Sequence, residues 1–220
     1  MTAKLEPIGG SRRTFLPAAG YDWLLPLYDP FVKLLGGERA RRRLVDQARL
    51  QAGDRVLDIG CGTGSLVVLT KHLHPDVDVV GLDPDPKALA RARRKAERAA
   101  IAPQFDRGFS DALPYREGSF TRVFSSFMFH HLEESEKLAT LREVRRVLKP
   151  GGSLHLLDFG PSSDGLVARW LHADHRMRDN SESRILALMR QAELADPHTT
   201  GRGAMLLGHM AYLYYQASAA

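Results

Sequence analysis

The chain has 220 residues, 44% of them hydrophobic and 26% charged, enough for one core and too few for two comfortable domains. That composition excludes a disordered chain, a collagen-like repeat and a disulfide-rich secreted scaffold. A balance of 31 basic against 26 acidic residues leaves a net charge of +5, which suits an acidic partner.

Residues 1–37 are rich in aromatics and proline and end in Gly36-Gly37, which predicts an irregular or helical arm. Glu38 to Leu50 reads as a helix stopped by the Ala52-Gly53-Asp54 turn. The chain then alternates. Predicted strands run over Arg55–Ile59, Val77–Leu82, Gln104–Arg107, Arg122–Phe127 and Ser153–Phe159. Predicted helices run over Ser65–His72, Pro86–Ala100 and Glu134–Leu148, with a turn at Pro150-Gly151-Gly152. Beyond Gly160 a polar linker leads to a helix near Ser183–Leu194, and the tail from Gly201 reads as a final strand pair. Residues 203–220 carry no Asp, Glu, Lys or Arg. Their β-prone core, Tyr212 to Tyr215, indicates a buried strand rather than a membrane span. Strands alternating with amphipathic helices predict an α/β fold with a parallel sheet covered on both faces. One domain is expected: an arm (1–37), a core (38–160) and a segment carrying the final strands (161–220).

Cys61 is the lone cysteine and has no thiol to pair with, which fits a reducing compartment. The opening MTAKLEPIGG lacks both the basic start and the apolar run of a signal peptide. The expectation is a soluble cytoplasmic protein. Two basic runs stand out. Lys87, Arg91, Arg94, Lys95 and Arg98 follow helical spacing and read as a solvated face. Arg39, Arg41, Arg42 and Arg43 form a cluster suited to phosphates. No nucleic-acid-binding signature accompanies either, so no nucleic-acid partner is expected.

The sharpest chemical signal is Val56-Leu57-Asp58-Ile59-Gly60-Cys61-Gly62-Thr63-Gly64. A strand runs into alternate glycines and then a helix, which lets backbone amides approach a ligand. Dinucleotide folds need a glycine where Ser65 stands, so this spacing suits a smaller ligand with an amino-acid tail. Asp58 is placed to meet the positive end of that tail. Nineteen residues after Gly64, the next strand ends in Asp83-Pro84-Asp85. A carboxylate there can accept both ribose hydroxyls. Asp83 alone would also serve as a helix cap, although Asp85 stands in the better capping position before Pro86.

Ser110-Asp111-Ala112-Leu113-Pro114-Tyr115, Val123 to Leu132 and Leu148-Lys149-Pro150-Gly151-Gly152 complete the pattern. Together with the glycine loop and Asp83, these segments resemble the class I S-adenosylmethionine-dependent methyltransferases. The branch they resemble most holds quinone-biosynthesis C-methyltransferases and soluble bacterial phospholipid N-methyltransferases. The resemblance covers about Tyr21 to Phe159 and implies a Rossmann-like, seven-stranded, mostly parallel sheet with a final antiparallel strand. It implies S-adenosyl-L-methionine as cofactor, with Gly60, Cys61, Gly62 and Gly64 along the methionine moiety and Asp58 near its ammonium. Asp83 would hold the ribose and Pro84 would border the adenine. Asp111 and the Ala112 amide would meet the base, and Ser126 would present its backbone to the tail. The family's acid in strand four is absent here, where the chain reads Phe120-Thr121-Arg122.

Direct displacement from a sulfonium needs an in-line acceptor in a shielded pocket, and a base only when the acceptor must lose a proton. Candidates for that role are His130, His131, Tyr21 and Tyr28. Either histidine would equally serve by bonding backbone at the strand end, and the tyrosines by packing in the arm. The resemblance implies that Tyr28-Asp29 covers the cofactor. His172, Asp174, His175 and Asp179 read as polar surface rather than a metal site, and no metal is expected. The greasy arm (Phe15, Trp23, Leu24, Phe31) and the arginine cluster point to a small lipophilic acceptor, a phospholipid amine or a quinone-type ring, with peripheral membrane contact. The competing readings are a soluble metabolite as acceptor, a nucleotide-dependent oxidoreductase, and a cofactor-binding protein without catalysis.

Overall fold

A computed structural model describes residues 36–160, 180–205 and 210–219. Within them a seven-stranded sheet has the order β3-β2-β1-β4-β5-β7-β6. The strands are β1 (Arg55–Ile59), β2 (Asp78–Asp83), β3 (Gln104–Arg107), β4 (Phe120–Ser126), β5 (Leu148–Phe159), β6 (Ala195–Met205) and β7 (Met210–Ser218). The helices are α1 (Gly37–Gln47), α2 (Ser65–Leu73), α3 (Pro86–Arg98), α4 (Glu134–Val147) and α5 (Glu182–Gln191). Strands β1 to β5 pair in parallel, while β7 runs antiparallel to both β5 and β6. The Rossmann-like sheet with one antiparallel strand is therefore the fold expected.

Each strand divides its side chains between two cores, as a pleated backbone buried on both faces must. Leu57, Val80, Val123, Leu156 and Tyr215 pack with Leu141 and Val144 of α4 and Ile185 and Leu188 of α5. Their neighbours Val56, Val79, Phe124, Leu157 and Tyr214 face Leu44 of α1, Leu66 of α2 and Leu89 of α3. Asp58 shares the α1–α3 face with Val56. Asp158 shares the other with Leu154 and Leu156.

Several boundaries differ from the sequence reading. The strand pair begins at Ala195 rather than Gly201, and α5 stops at Gln191. The polar, glycine-containing β6 hid its strand because it lies on the sheet edge and shifts register twice, between Ala195 and His198 and between Thr199 and Gly201. β4 starts at Phe120, and β5 extends back through the expected turn to Leu148, which pairs with Phe120 across a register shift. Phe127 lies outside β4 with φ of +54°. Thr121, where the resemblance expects an acid, ties β4 to β1: its hydroxyl accepts from Arg55 N (3.0 Å) and donates to Arg55 O (3.1 Å). No helix among the described residues is long and apolar enough to cross a membrane.

Candidate active site

The order of the sheet reverses between β1 and β4, where open α/β sheets build their ligand crevice beyond the carboxyl ends of the strands. Gly60 to Gly64 connects β1 to α2 at this point. Gly60 N and Cys61 N both donate to Leu82 O (2.8 and 3.0 Å), which pins the loop to β2. Gly62 has φ of +54°, and a Cβ there would meet nothing within 4 Å, so this glycine borders open space. Gly64 has φ of +75°, and a Cβ there would stand 2.8 Å from Ala92 Cβ, so this glycine lets α2 approach α3. From α3, Lys95 Nζ donates to Thr63 Oγ1 (3.1 Å) and Ser65 Oγ (2.7 Å). Lys95 thus braces the loop, a role the reading of its run as a solvated face missed.

Asp58 ends up 1% exposed, and neither carboxylate oxygen has a hydrogen-bond partner among the described residues. Burial pushes its pKa up to about 8, opposed by the Arg41 guanidinium and assisted by the Asp83 charge. A buried carboxylate without a partner is costly. A ligand ammonium is the group that would satisfy it. Asp83 is also buried, but its oxygens are engaged: Oδ2 accepts from Gly62 N (2.8 Å) and Oδ1 from Asp85 N (2.9 Å). Burial raises its pKa, and the two amides counter the effect. Each oxygen keeps a second lone pair for a sugar hydroxyl. Asp85 caps α3, accepting from Lys87 N at 2.8 Å, with Pro86 in the first turn.

Pro84 is half-buried, and its carbonyl accepts from Arg107 Nε (3.2 Å). Asp111 is half-buried and Ala112 exposed in the loop after β3, where Ala112 N donates to Phe109 O (3.3 Å). That loop is fastened to α4 through Ser110 Oγ–Thr140 Oγ1 (2.9 Å) and Leu113 N to Glu143 Oε2 (2.8 Å). At the end of β4, Ser126 Oγ accepts from Arg41 Nε at 3.4 Å.

The histidine pair follows on a short turn of 3-10 helix, Phe129–His131. His130 is anchored twice to Asp158, its backbone N donating to Oδ2 (2.7 Å) and its Nδ1 bonding Oδ1 (2.6 Å). Asp158 is fully buried and also accepts from Phe159 N (2.8 Å). With Nδ1 engaged by Asp158, Nε2 is the ring nitrogen that the carboxylate does not bond. His131 packs on His130 with ring centroids 4.0 Å apart. The sequence reading does not mark Asp158, and it groups Arg41 with its neighbours as a cluster suited to phosphates. The signal for Asp158 was an acid inside the apolar run Leu156-Leu157-Asp158-Phe159, which cannot be buried without a partner. Tyr21, Tyr28, Asp29, His172, Asp174, His175 and Asp179 lie outside the described residues.

Residues 56–152 match a sequence family described as a methyltransferase domain. Over 145 residues the chain is 41% identical to a demethylmenaquinone methyltransferase of Thermus thermophilus, an alignment covering 64% of this chain and 65% of that one. Over 171 residues it is 36% identical to the demethylmenaquinone methyltransferase of Deinococcus radiodurans, covering 76% of this chain and 70% of that one. The chain thus spans about two thirds of the length of these relatives. Its fold matches a geranyl diphosphate methyltransferase solved with S-adenosylmethionine, at a TM-score of 0.68 and 14% identity, covering 83% of this chain and 85% of that one. With the glycine loop, Asp58 and Asp83 gathered at one crevice, the chain belongs to the S-adenosylmethionine-dependent methyltransferases.

Proposed function

We propose that this protein methylates a ring carbon of a lipophilic, quinol-type acceptor. The observation that carries the reading is His130 held by the buried Asp158 at the carboxyl ends of β4 and β5. Carbon methylation of a hydroxylated ring forms one bond to carbon and must release one proton. His130 Nε2, on a ring oriented by the Nδ1 contact with Asp158, is the group suited to take it. When bound, S-adenosylmethionine supplies the activated methyl group. Asp58 would hold its ammonium, the lone pairs of Asp83 its ribose, and the loop beside Gly62 gives its tail room. The names of the two curated relatives support a demethylated naphthoquinol as the acceptor class.

Delivery of such an acceptor suits a protein that touches an anionic lipid surface. On α1, Arg39 and Arg42 are exposed. Each cation near such a surface is worth about 1 kcal/mol. Arg43 is committed elsewhere, stacking 4.9 Å from the Tyr214 ring centroid and donating to Arg202 O.

The test is transfer of labelled methyl to a short-chain demethylated naphthoquinol, to phosphatidylethanolamine in vesicles, and to a water-soluble extract. Label on the quinol ring carbon supports the reading, and label confined to either other fraction overturns it. Asp158→Asn and His130→Gln should lower kcat by roughly 100-fold or more. Their S-adenosylhomocysteine affinity should stay within about 2-fold, since neither residue belongs to the cofactor cradle.

A further inference from the structure

We propose that Arg41 is the residue that reads the carboxylate of the cofactor's methionine tail, opposite Asp58. The inference rests on the cofactor assignment and adds a ligand to it. Of the four arginines in the α1 cluster, Arg39, Arg42 and Arg43 are exposed and Arg41 alone is half-buried. It follows Ala40, whose side chain is buried with Leu44 and Val45 under the sheet. That position carries its guanidinium over the end of β4. There Nε donates to Ser126 Oγ (3.4 Å), and Cζ sits 5.7 Å from the centroid of the Phe127 ring.

Phe127 is a built platform. It holds a left-handed backbone (φ +54°), its N–H donates to Leu157 O (2.8 Å), and its ring packs on Phe159 at 4.7 Å. A bulky residue keeps such a conformation only when its surroundings impose it, and these sites cluster at ligand clamps. The guanidinium therefore rests on a fixed aromatic face, steered by a serine hydroxyl.

Asp58 lies on the same face of the sheet, feels the Arg41 charge, and has no hydrogen bond from it or from any other described residue. An acid and a guanidinium on one face of the sheet, the one feeling the other's charge yet unjoined, beside a glycine bordering open space, match an α-ammonium and an α-carboxylate carried on one carbon. The bond to Ser126 uses a single guanidinium N–H. The planar fork has others for a carboxylate. A simple counter-ion to Asp58 would gain most by bonding it directly.

The test uses three ligands on the full chain: S-adenosylhomocysteine, its decarboxylated analogue (which keeps the ammonium), and 5′-methylthioadenosine (which lacks both groups). Wild type should prefer S-adenosylhomocysteine over the decarboxylated analogue by roughly 10- to 100-fold. Arg41→Gln should erase that preference by weakening S-adenosylhomocysteine alone, leaving the decarboxylated analogue within about 2-fold. Arg41→Lys, a point charge on the same stem, should retain part of the preference and guards against a folding defect in the first variant. Equal loss of both ligands, or a wild type indifferent to the carboxylate, overturns the proposal while leaving the cofactor assignment intact. Failure of wild type to bind any of the three overturns the cofactor assignment instead.

Discussion

Asp58 makes the crevice titrate in an unusual direction. In the unfolded chain its carboxyl ionises near pH 4, whereas in the fold burial delays ionisation to about pH 8. Between those limits the unfolded state gives up its proton first, so this residue's contribution to stability declines as pH rises. Asp58→Asn should flatten that decline, measured as the urea midpoint from pH 4 to pH 8. Parallel curves for the two proteins would show that Asp58 ionises normally. The ammonium of S-adenosylhomocysteine calls for the ionised acid, so binding at pH 7 should expel a proton, detectable by calorimetry in two buffers of different ionisation enthalpy. Asp83→Ala should cost about 1.5–3 kcal/mol of affinity, the scale of a hydrogen bond to a charged group. At this scale the sequence shows residues whose role follows from spacing: Asp58 before the glycines and Asp83 at the end of the next strand. It conceals residues whose role depends on distant chain. Arg41 looks like its three neighbours until Ser126, 85 positions away, meets it. His130 and Asp158 become a pair only through the pairing of β4 with β5.

Between α2 and α3 the contact is set from both sides of the glycine loop. Gly64 admits close approach, and Lys95 crosses from α3 to hold Thr63 and Ser65. Gly64→Ala puts a Cβ against Ala92 and forces a left-handed residue, and should destabilise the protein by about 1–3 kcal/mol in urea titration. Lys95→Met keeps the stem and removes the donor. It should weaken S-adenosylhomocysteine by roughly 3- to 10-fold, with the melting temperature nearly unchanged. A variant with full affinity would reduce Lys95 to surface charge. Elements with strong periodicity were legible from sequence, since α3 alternates Ala88, Leu89, Ala92 and Ala96 with its cations and β1 and β2 are apolar runs. Edge strand β6 was not. Its side chains on an exposed border need not alternate, and Pro197 is tolerated there because an edge strand can spare an N–H.

Across the whole sheet, two buried groups of opposite sense shape the response to pH. His155 is buried in β5, where burial first, then the Arg122 and His198 charges, lower its pKa to about 3. Its ordinary value is near 6.5, so the stability it contributes is full above that pH and is lost as pH falls toward 3. His155→Gln should move the acid unfolding midpoint to lower pH, and an unmoved midpoint would assign acid unfolding to other groups. Ligand at about 100 times its Kd should add roughly 2.7 kcal/mol. In a protein of this size that raises Tm by roughly 5–11 °C, and no shift would count against the crevice. The position of β7 between β5 and β6 also imposes an order on events during synthesis. β6 leaves the ribosome first, but among the described residues its one sheet partner is β7, which is made after it. The half of the sheet carrying the glycine loop can assemble early, while β6 waits as an unpaired edge. Ribosome-stalled chains ending before β7 should therefore expose β6 to protease and bind chaperones, and release of β7 should close the sheet in one step.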